Sequence, residues 1–306
     1  MELQHAKQRH PSLQFLILVV LAIGIILAGN LIGIGLVMVL YGLDMVLNIT
    51  RLDFSQAGTV NALWILQIIG TTIPLFVTPL VFARWIVKQP GEYLKTSFRF
   101  PWALLLIVFA VMLVSSPLIE YLSRINQKMV LPEYLSGLQQ WMRESEDRAQ
   151  KLVTLLLKMD TVGSVILNVI AIGLFTAIVE ELMFRGCLQT IFVKWTGNIH
   201  AAVWITAILF SAFHMEFFGF LPRLLLGVLF GYFAAWSGSI WPAVLGHFIN
   251  NATAVIVTYL YQQKTIKINP DQQQVFNYQV YLFSLFIVLF LLYLYQNVAN
   301  KRTLAA

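Results

Sequence analysis

The stretch FTAIVEELMFRGCL, residues 175–188, sets two carboxylates, Glu180 and Glu181, and one guanidinium, Arg185, inside an otherwise apolar run. Three further groups able to do chemistry follow in equally apolar surroundings. His214 closes ILFSAFH, and His247 and Asn251, with Asn250 beside it, lie in GHFINN. A carboxylate and an imidazole can carry the proton of an attacking water as general base and acid. A second imidazole with an amide can donate hydrogen bonds to a developing oxyanion. This is a hydrolase inventory that uses no serine or cysteine nucleophile. The H-E-x-x-H zinc signature is absent, although Glu180, His214 and His247 would also make a His₂Glu donor set for zinc.

Helical spacing sorts these groups. Glu181 and Arg185 are four apart, so they meet across one turn and can brace the helix as an ion pair. Glu180 is turned about 100° from Glu181. It shares a face with Gly173 and Ala177, small residues that let another helix approach closely. A carboxyl held on such a face suits proton transfer. Phe210 precedes His214 by one turn. His247 and Asn251, again four apart, present two polar side chains at one depth. GVLFG, Gly227 to Gly231, is a small-xxx-small face whose expected role is packing.

The elements that must position these groups are transmembrane helices. Of 306 residues, 59% are hydrophobic and 11% charged, with a mean hydropathy of +0.77. A soluble domain carries roughly 25% charged residues. Continuous apolar runs near helix-span length indicate an all-α, polytopic transmembrane bundle, and their lack of alternation excludes a β-barrel. The formal net charge of +6 reads as basic residues gathered on the cytoplasmic side, not as a nucleic-acid surface. Cys187 is the single cysteine. It permits no intrachain disulfide and reads as a small residue near a helix end.

The apolar runs predict about eight spans, near Leu13–Leu43, Val60–Phe82, Trp102–Tyr121, Gly163–Phe184, Ala201–Phe218, Leu221–Trp236, Ile240–Tyr261 and Tyr278–Tyr295. The first reads as a membrane anchor and not a cleaved signal, because the run is too long and no A-x-A site closes it. Lys7, Arg9, Arg84, Lys88, Lys95, Arg99, Lys194, Lys301 and Arg302 then fall on one face. The positive-inside rule makes that face, and both termini, cytoplasmic. Residues 120–160 balance six basic against six acidic side chains. They contain SGLQQWMRESEDRAQKLVTLLLKMD, an expected amphipathic helix on the outer face. Its apolar side holds Trp141, Leu152, Leu155 and Leu156, and Arg143, Glu144, Glu146 and Asp147 turn to water. It reads as a linker or cap. The organisation expected is residues 1–160 for spans one to three plus that helix, 161–262 for the core with the chemistry, and 263–306 for the last span and tail.

Glu-Glu-x-x-x-Arg (Glu180, Glu181, Arg185), Phe-x-x-x-His (Phe210, His214) and His-x-x-x-Asn (His247, Asn251) occur in this order on separate spans. This order resembles the CPBP family, the CAAX-protease and bacteriocin-processing (Abi) membrane proteins, over about residues 163–262. The resemblance implies a helical intramembrane endopeptidase with its site opening towards the cytosol. By that likeness Glu180 and His214 activate water, His247 and Asn251 form the oxyanion hole, and Glu181 and Arg185 orient and brace. The family is also labelled metalloprotease. The reading taken is metal-free, without a cofactor, and zinc is the alternative. The partners implied are the lipid bilayer and a membrane-associated peptide or protein substrate, in a bacterial inner membrane. Intramembrane glutamate and histidine also suit two other classes: a non-catalytic immunity or scaffold protein, and a transporter with a proton relay. The inverted repeats that mark many transporters are not visible.

Overall fold

A computed structural model describes residues 9–267 and 276–303. Lys7 and the side chain of Arg302, two of the charges behind the expected inward termini, lie outside the described residues, as do residues 304–306. Among the described residues all regular structure is helical. We number the main helices α1 (Pro11–Tyr41), α2 (Leu43–Thr50), α3 (Thr59–Val87), α4 (Ala103–Gln127), α5 (Ser136–Leu156), α6 (Val162–Thr196), α7 (Ile199–Phe213), α8 (Phe217–Ser237), α9 (Trp241–Gln262) and α10 (Tyr278–Lys301).

Seven of these, α1, α3, α4, α6, α8, α9 and α10, are long and apolar enough to cross a membrane. The chain is therefore a multi-pass membrane protein. The expected span at Ala201–Phe218 is represented by α7, an apolar helix of 15 residues. At 1.5 Å per residue it reaches about 22 Å, against a hydrocarbon core of roughly 30 Å. The long first apolar run divides at Gly42, whose φ of +86° only glycine adopts cheaply, so the chain turns there from α1 into α2.

The chain forms two compact units. One takes the chain up to Ser97 together with Val179–Ala202, and the other takes Phe98–Ile178 and the chain from Val203 onward. In the first, α1 and α3 approach closely where Gly29 has no side chain. A Cβ there would lie 2.6 Å from the Ile69 carbonyl oxygen and 2.6 Å from Pro74. Pro74 has no N–H to give the carbonyl one turn back, that of Gly70. The Asn30 side chain, from α1, donates to that oxygen at 3.0 Å. A backbone carbonyl in the π turn Ile68–Thr72 thus takes a donor from a neighbouring helix. The end of α6 packs on the turn at Pro90–Tyr93, where a Cβ on Gly186 would meet Leu94 at 3.2 Å. The Tyr93 hydroxyl donates to Gln14 of α1 at 2.8 Å.

In the second unit, α4, α8 and α10 bury a common core that includes Leu104, Val108, Leu229, Phe233, Val288 and Tyr295. Pro117 leaves the Leu113 carbonyl without its helical donor, and the Ser116 hydroxyl supplies one at 3.1 Å. α9 lies against the first half of α6 at Gly173, where a Cβ would stand 3.4 Å from the Phe248 ring and 3.7 Å from the Ala252 Cα. α5 forms as expected. None of its residues is fully buried, and Trp141 meets the Phe217 ring at 5.6 Å between centroids.

Candidate active site

α6 carries the first motif, and its backbone departs from regular α geometry on both sides of it. Val169–Phe175 and Leu182–Leu188 are wide π turns flanking Thr176–Glu181. Such turns re-aim the side chains around them and recur at functional sites. A threonine bonds back five residues at each: Thr176 Oγ1 to the Ala171 carbonyl at 3.2 Å and Thr190 Oγ1 to the Arg185 carbonyl at 3.4 Å. α3 repeats the device with Thr72 and Gln67, at 3.2 Å.

Within the first unit, Arg185 Nη1 donates to Glu181 Oε1 at 2.8 Å, with both side chains fully buried. The expected i,i+4 pair is formed, even though the backbone between its members is π-helical. Glu180 is 7% exposed. On the same helix Gly173 and Ala177 are also buried. Cys187 is fully buried, and burial suits the small, inert role expected of it.

Within the second unit, Phe210 sits between the two histidines. Its ring meets His214 edge-on at 5.0 Å and His247 edge-on at 5.8 Å between centroids. His214 Nδ1 lies 2.8 Å from the Phe210 carbonyl oxygen. A carbonyl only accepts, so Nδ1 carries a proton, and in the neutral form of the ring the lone pair is on Nε2. His247 is 4% exposed and stacks on Phe230 at 5.0 Å and 16°. Gly227 of α8 makes room for this cluster: a Cβ there would lie 3.0 Å from Ala207 and 3.3 Å from the Phe210 ring. The packing role expected of GVLFG is therefore visible at Gly227. Gly246 does the same on α9, where a Cβ would meet the Phe230 and Phe233 rings at 3.2 Å.

Asn251 lies one turn beyond His247 on α9. Its Nδ2 donates to the Ile172 carbonyl, in the first π turn of α6, at 3.2 Å. Its Oδ1 accepts from Asn250 Nδ2, also at 3.2 Å. The amide orientation is thus set from both ends, and Nδ2 carries a second N–H for another acceptor. Phe230 and the Ile172 carbonyl escape a reading of the sequence. An apolar residue in an apolar span gives no signal, and a carbonyl has none to give.

The motif residues thus fall into two constellations, Glu180 with the Glu181–Arg185 pair, and Phe210, His214, His247 and Asn251. Within neither unit, among the described residues, do three His, Cys, Asp or Glu side chains gather into a metal-ligating group.

Residues 162–253 match the family of type II CAAX prenyl endopeptidases, Rce1-like. The match contains every motif residue named above and bears out the resemblance over that segment. A relative in Bacillus subtilis (strain 168), the uncharacterized protein YpbD, is 29% identical over 89 residues, which is 28% of this chain and 42% of that protein. The chain thus matches less than half the length of this curated relative. No solved structure matches the chain.

Proposed function

We propose that this chain is an intramembrane endopeptidase that hydrolyses a peptide bond of a membrane-associated protein or peptide. The observation that carries the reading is the match of residues 162–253 to an endopeptidase family, with all seven motif residues inside it. Glu180 and the Nε2 lone pair of His214 take a proton from a water molecule as its oxygen attacks the scissile carbonyl carbon. His247 and the second N–H of Asn251 donate to the oxygen on which negative charge develops. Collapse of the tetrahedral intermediate breaks the C–N bond, and the proton held by the glutamate–histidine pair passes to the leaving amine. Glu181 and Arg185 hold the helix that presents Glu180. The chemistry closes without a metal. In the alternative, Glu180, His214 and His247 would hold zinc, which would polarise the carbonyl and acidify the water.

The test compares protein N- and C-termini in native membranes that carry the wild type or Glu180→Gln at equal levels. Termini present only with the wild type are expected, and they would name the substrate. Identical sets from the two membranes would overturn the proteolytic reading in favour of a scaffold or transport role. Metal content of the purified protein, with activity before and after chelation, separates the metal-free mechanism from the zinc one.

A further inference from the structure

Three spans of the first unit come together at one of its ends: the start of α1 and the ends of α3 and α6. Phe15 of α1 meets Phe192 of α6 at 5.5 Å and Trp195 at 6.2 Å between centroids, and Phe192 and Trp195 are stacked at 7°. Phe82, near the end of α3, meets Tyr93 in the turn Pro90–Tyr93 at 5.9 Å. The Tyr93 hydroxyl is fixed on Gln14 of α1. Its ring lies under Lys194 of α6, whose Nζ stands 4.5 Å from the centroid. Trp195 and, on α3, Trp85 are exposed. Aromatic rings at the ends of spans mark the headgroup level of a bilayer.

Charge at this end is one-sided. Arg9, Arg84, Lys88, Lys95 and Lys194 stand against Glu92 alone among its described residues. Lys88 and Lys95 occupy left-handed backbone, at φ of +65° and +53°, where glycine is at ease and a β-carbon is strained. Lys88 is exposed and closes α3, whereas Lys95 is half-buried. Burial first, and then the like charge of Lys194, hold the Lys95 ammonium below its ordinary value of 10.5. No carboxylate among the described residues opposes them there. A strained, partly desolvated cation placed near a second cation destabilises the fold. An anion held by both would offset that cost.

We propose that Lys95 and Lys194 bind the phosphate of an anionic phospholipid, whose acyl chains run along the shelf of Phe15, Phe192 and Trp195. Two ammoniums give a phosphate charge-assisted hydrogen bonds, and a basic pocket between helix ends suits a charged headgroup. A free phosphate would satisfy the lysines but leave the aromatic shelf uncovered. The site is distinct from the motif residues and does not rest on the proteolytic reading. Binding needs no turnover, and it holds whichever side of the membrane this end faces.

The test is native mass spectrometry of the full-length protein in detergent, titrated with dioleoylphosphatidylglycerol or dioleoylphosphatidylcholine. The wild type is expected to bind the anionic lipid about tenfold more tightly than the zwitterionic one. Lys95→Gly removes the charge together with the backbone strain. Without lipid it should melt no lower than the wild type, yet it should bind phosphatidylglycerol about fivefold more weakly. Lys194→Gln should lose about as much. Lys264→Gln, at an exposed lysine of the second unit with the same left-handed backbone, should lose nothing. Glycerol 3-phosphate at the lipid's concentration should not displace it. Equal affinity for the two lipids, or wild-type affinity in either first-unit variant, overturns the site. An equal loss in Lys264→Gln reduces it to general surface charge and overturns it too. A Lys95→Gly protein that melts below the wild type assigns the lysine to the fold instead. Displacement by glycerol 3-phosphate overturns the lipid in favour of a soluble phosphate.

Discussion

His214 is tied to Phe210 twice: its Nδ1 lies 2.8 Å from the Phe210 carbonyl oxygen, and its ring meets the Phe210 ring edge-on at 5.0 Å. The backbone carbonyl thereby selects, for the neutral ring, the tautomer with its proton on Nδ1. Nitrogen-15 spectra of histidine-labelled protein, assigned with His214→Gln, are expected to show a protonated Nδ1 and an unprotonated Nε2 at about pH 8, above the ordinary histidine range. The reverse tautomer would remove His214 from the role of base.

The Glu181–Arg185 pair has no access to water in the folded protein. Removing one partner leaves a buried charge, at a cost of about 3–5 kcal/mol. Glu181→Gln and Arg185→Gln should each lower thermal stability in detergent and membrane yield strongly. The double substitution should recover part of the loss. A double variant no better than either single would show that each group has its main partner elsewhere.

Gly227 should be intolerant of a side chain. A Cβ 3.0 Å from Ala207 and 3.3 Å from the Phe210 ring forces either α7 outward or the ring between the histidines aside, typically about 1–3 kcal/mol. Gly227→Val is expected to lose stability and activity together. Gly24→Ala, where nothing stands within 4 Å, is the matched control and should be neutral or slightly stabilising. Equal tolerance at the two positions would contradict the close approach of α7 and α8.

Asn126 of α4 clamps the first turn of α8. Its Nδ2 donates to the Phe217 carbonyl at 2.9 Å, and its Oδ1 accepts from the Leu221 N–H at 2.6 Å, with the residue 1% exposed. Asn126→Ala strands both backbone groups, costing about 1–3 kcal/mol for each left without water. Asn126→Asp keeps the acceptor and loses the donor, so its destabilisation, read as a melting temperature, should fall between wild type and alanine.

Glu146 of α5 supplies a pH dependence. Burial holds its carboxyl above the ordinary value of 4.5; the Phe218 N–H opposes this rise, Glu216 adds to it, and Arg223 and Arg143 oppose it. The folded state thus binds this proton more tightly than the unfolded one. The stabilising contribution is fully present below the unfolded value and is lost as pH rises through the folded value. Glu146→Gln keeps an oxygen for the Phe218 N–H, which Glu146 accepts at 3.1 Å, and cannot ionise. Its melting temperature should exceed that of wild type near pH 7, with the two converging below about pH 4. A wild type more stable than the variant at neutral pH would show that the arginines outweigh burial.

What the sequence alone determined about this protein is local. Apolar runs of span length require helices in lipid, because only a helix satisfies its own backbone there. Glu181 and Arg185 pair because they are four apart on one helix, and that pairing survives even a π turn. The ordered motifs pointed to a family that residues 162–253 match. Tertiary structure decided what lies opposite each side chain. Asn30 donates to the Gly70 carbonyl, 40 residues away in sequence. Phe230 covers His247, and Asn126 grips the first turn of α8, 91 residues further on. None of this is legible in an apolar span, because lipid and protein interior are equally apolar. The pattern that places a helix in the membrane therefore does not say which of its faces meets another helix.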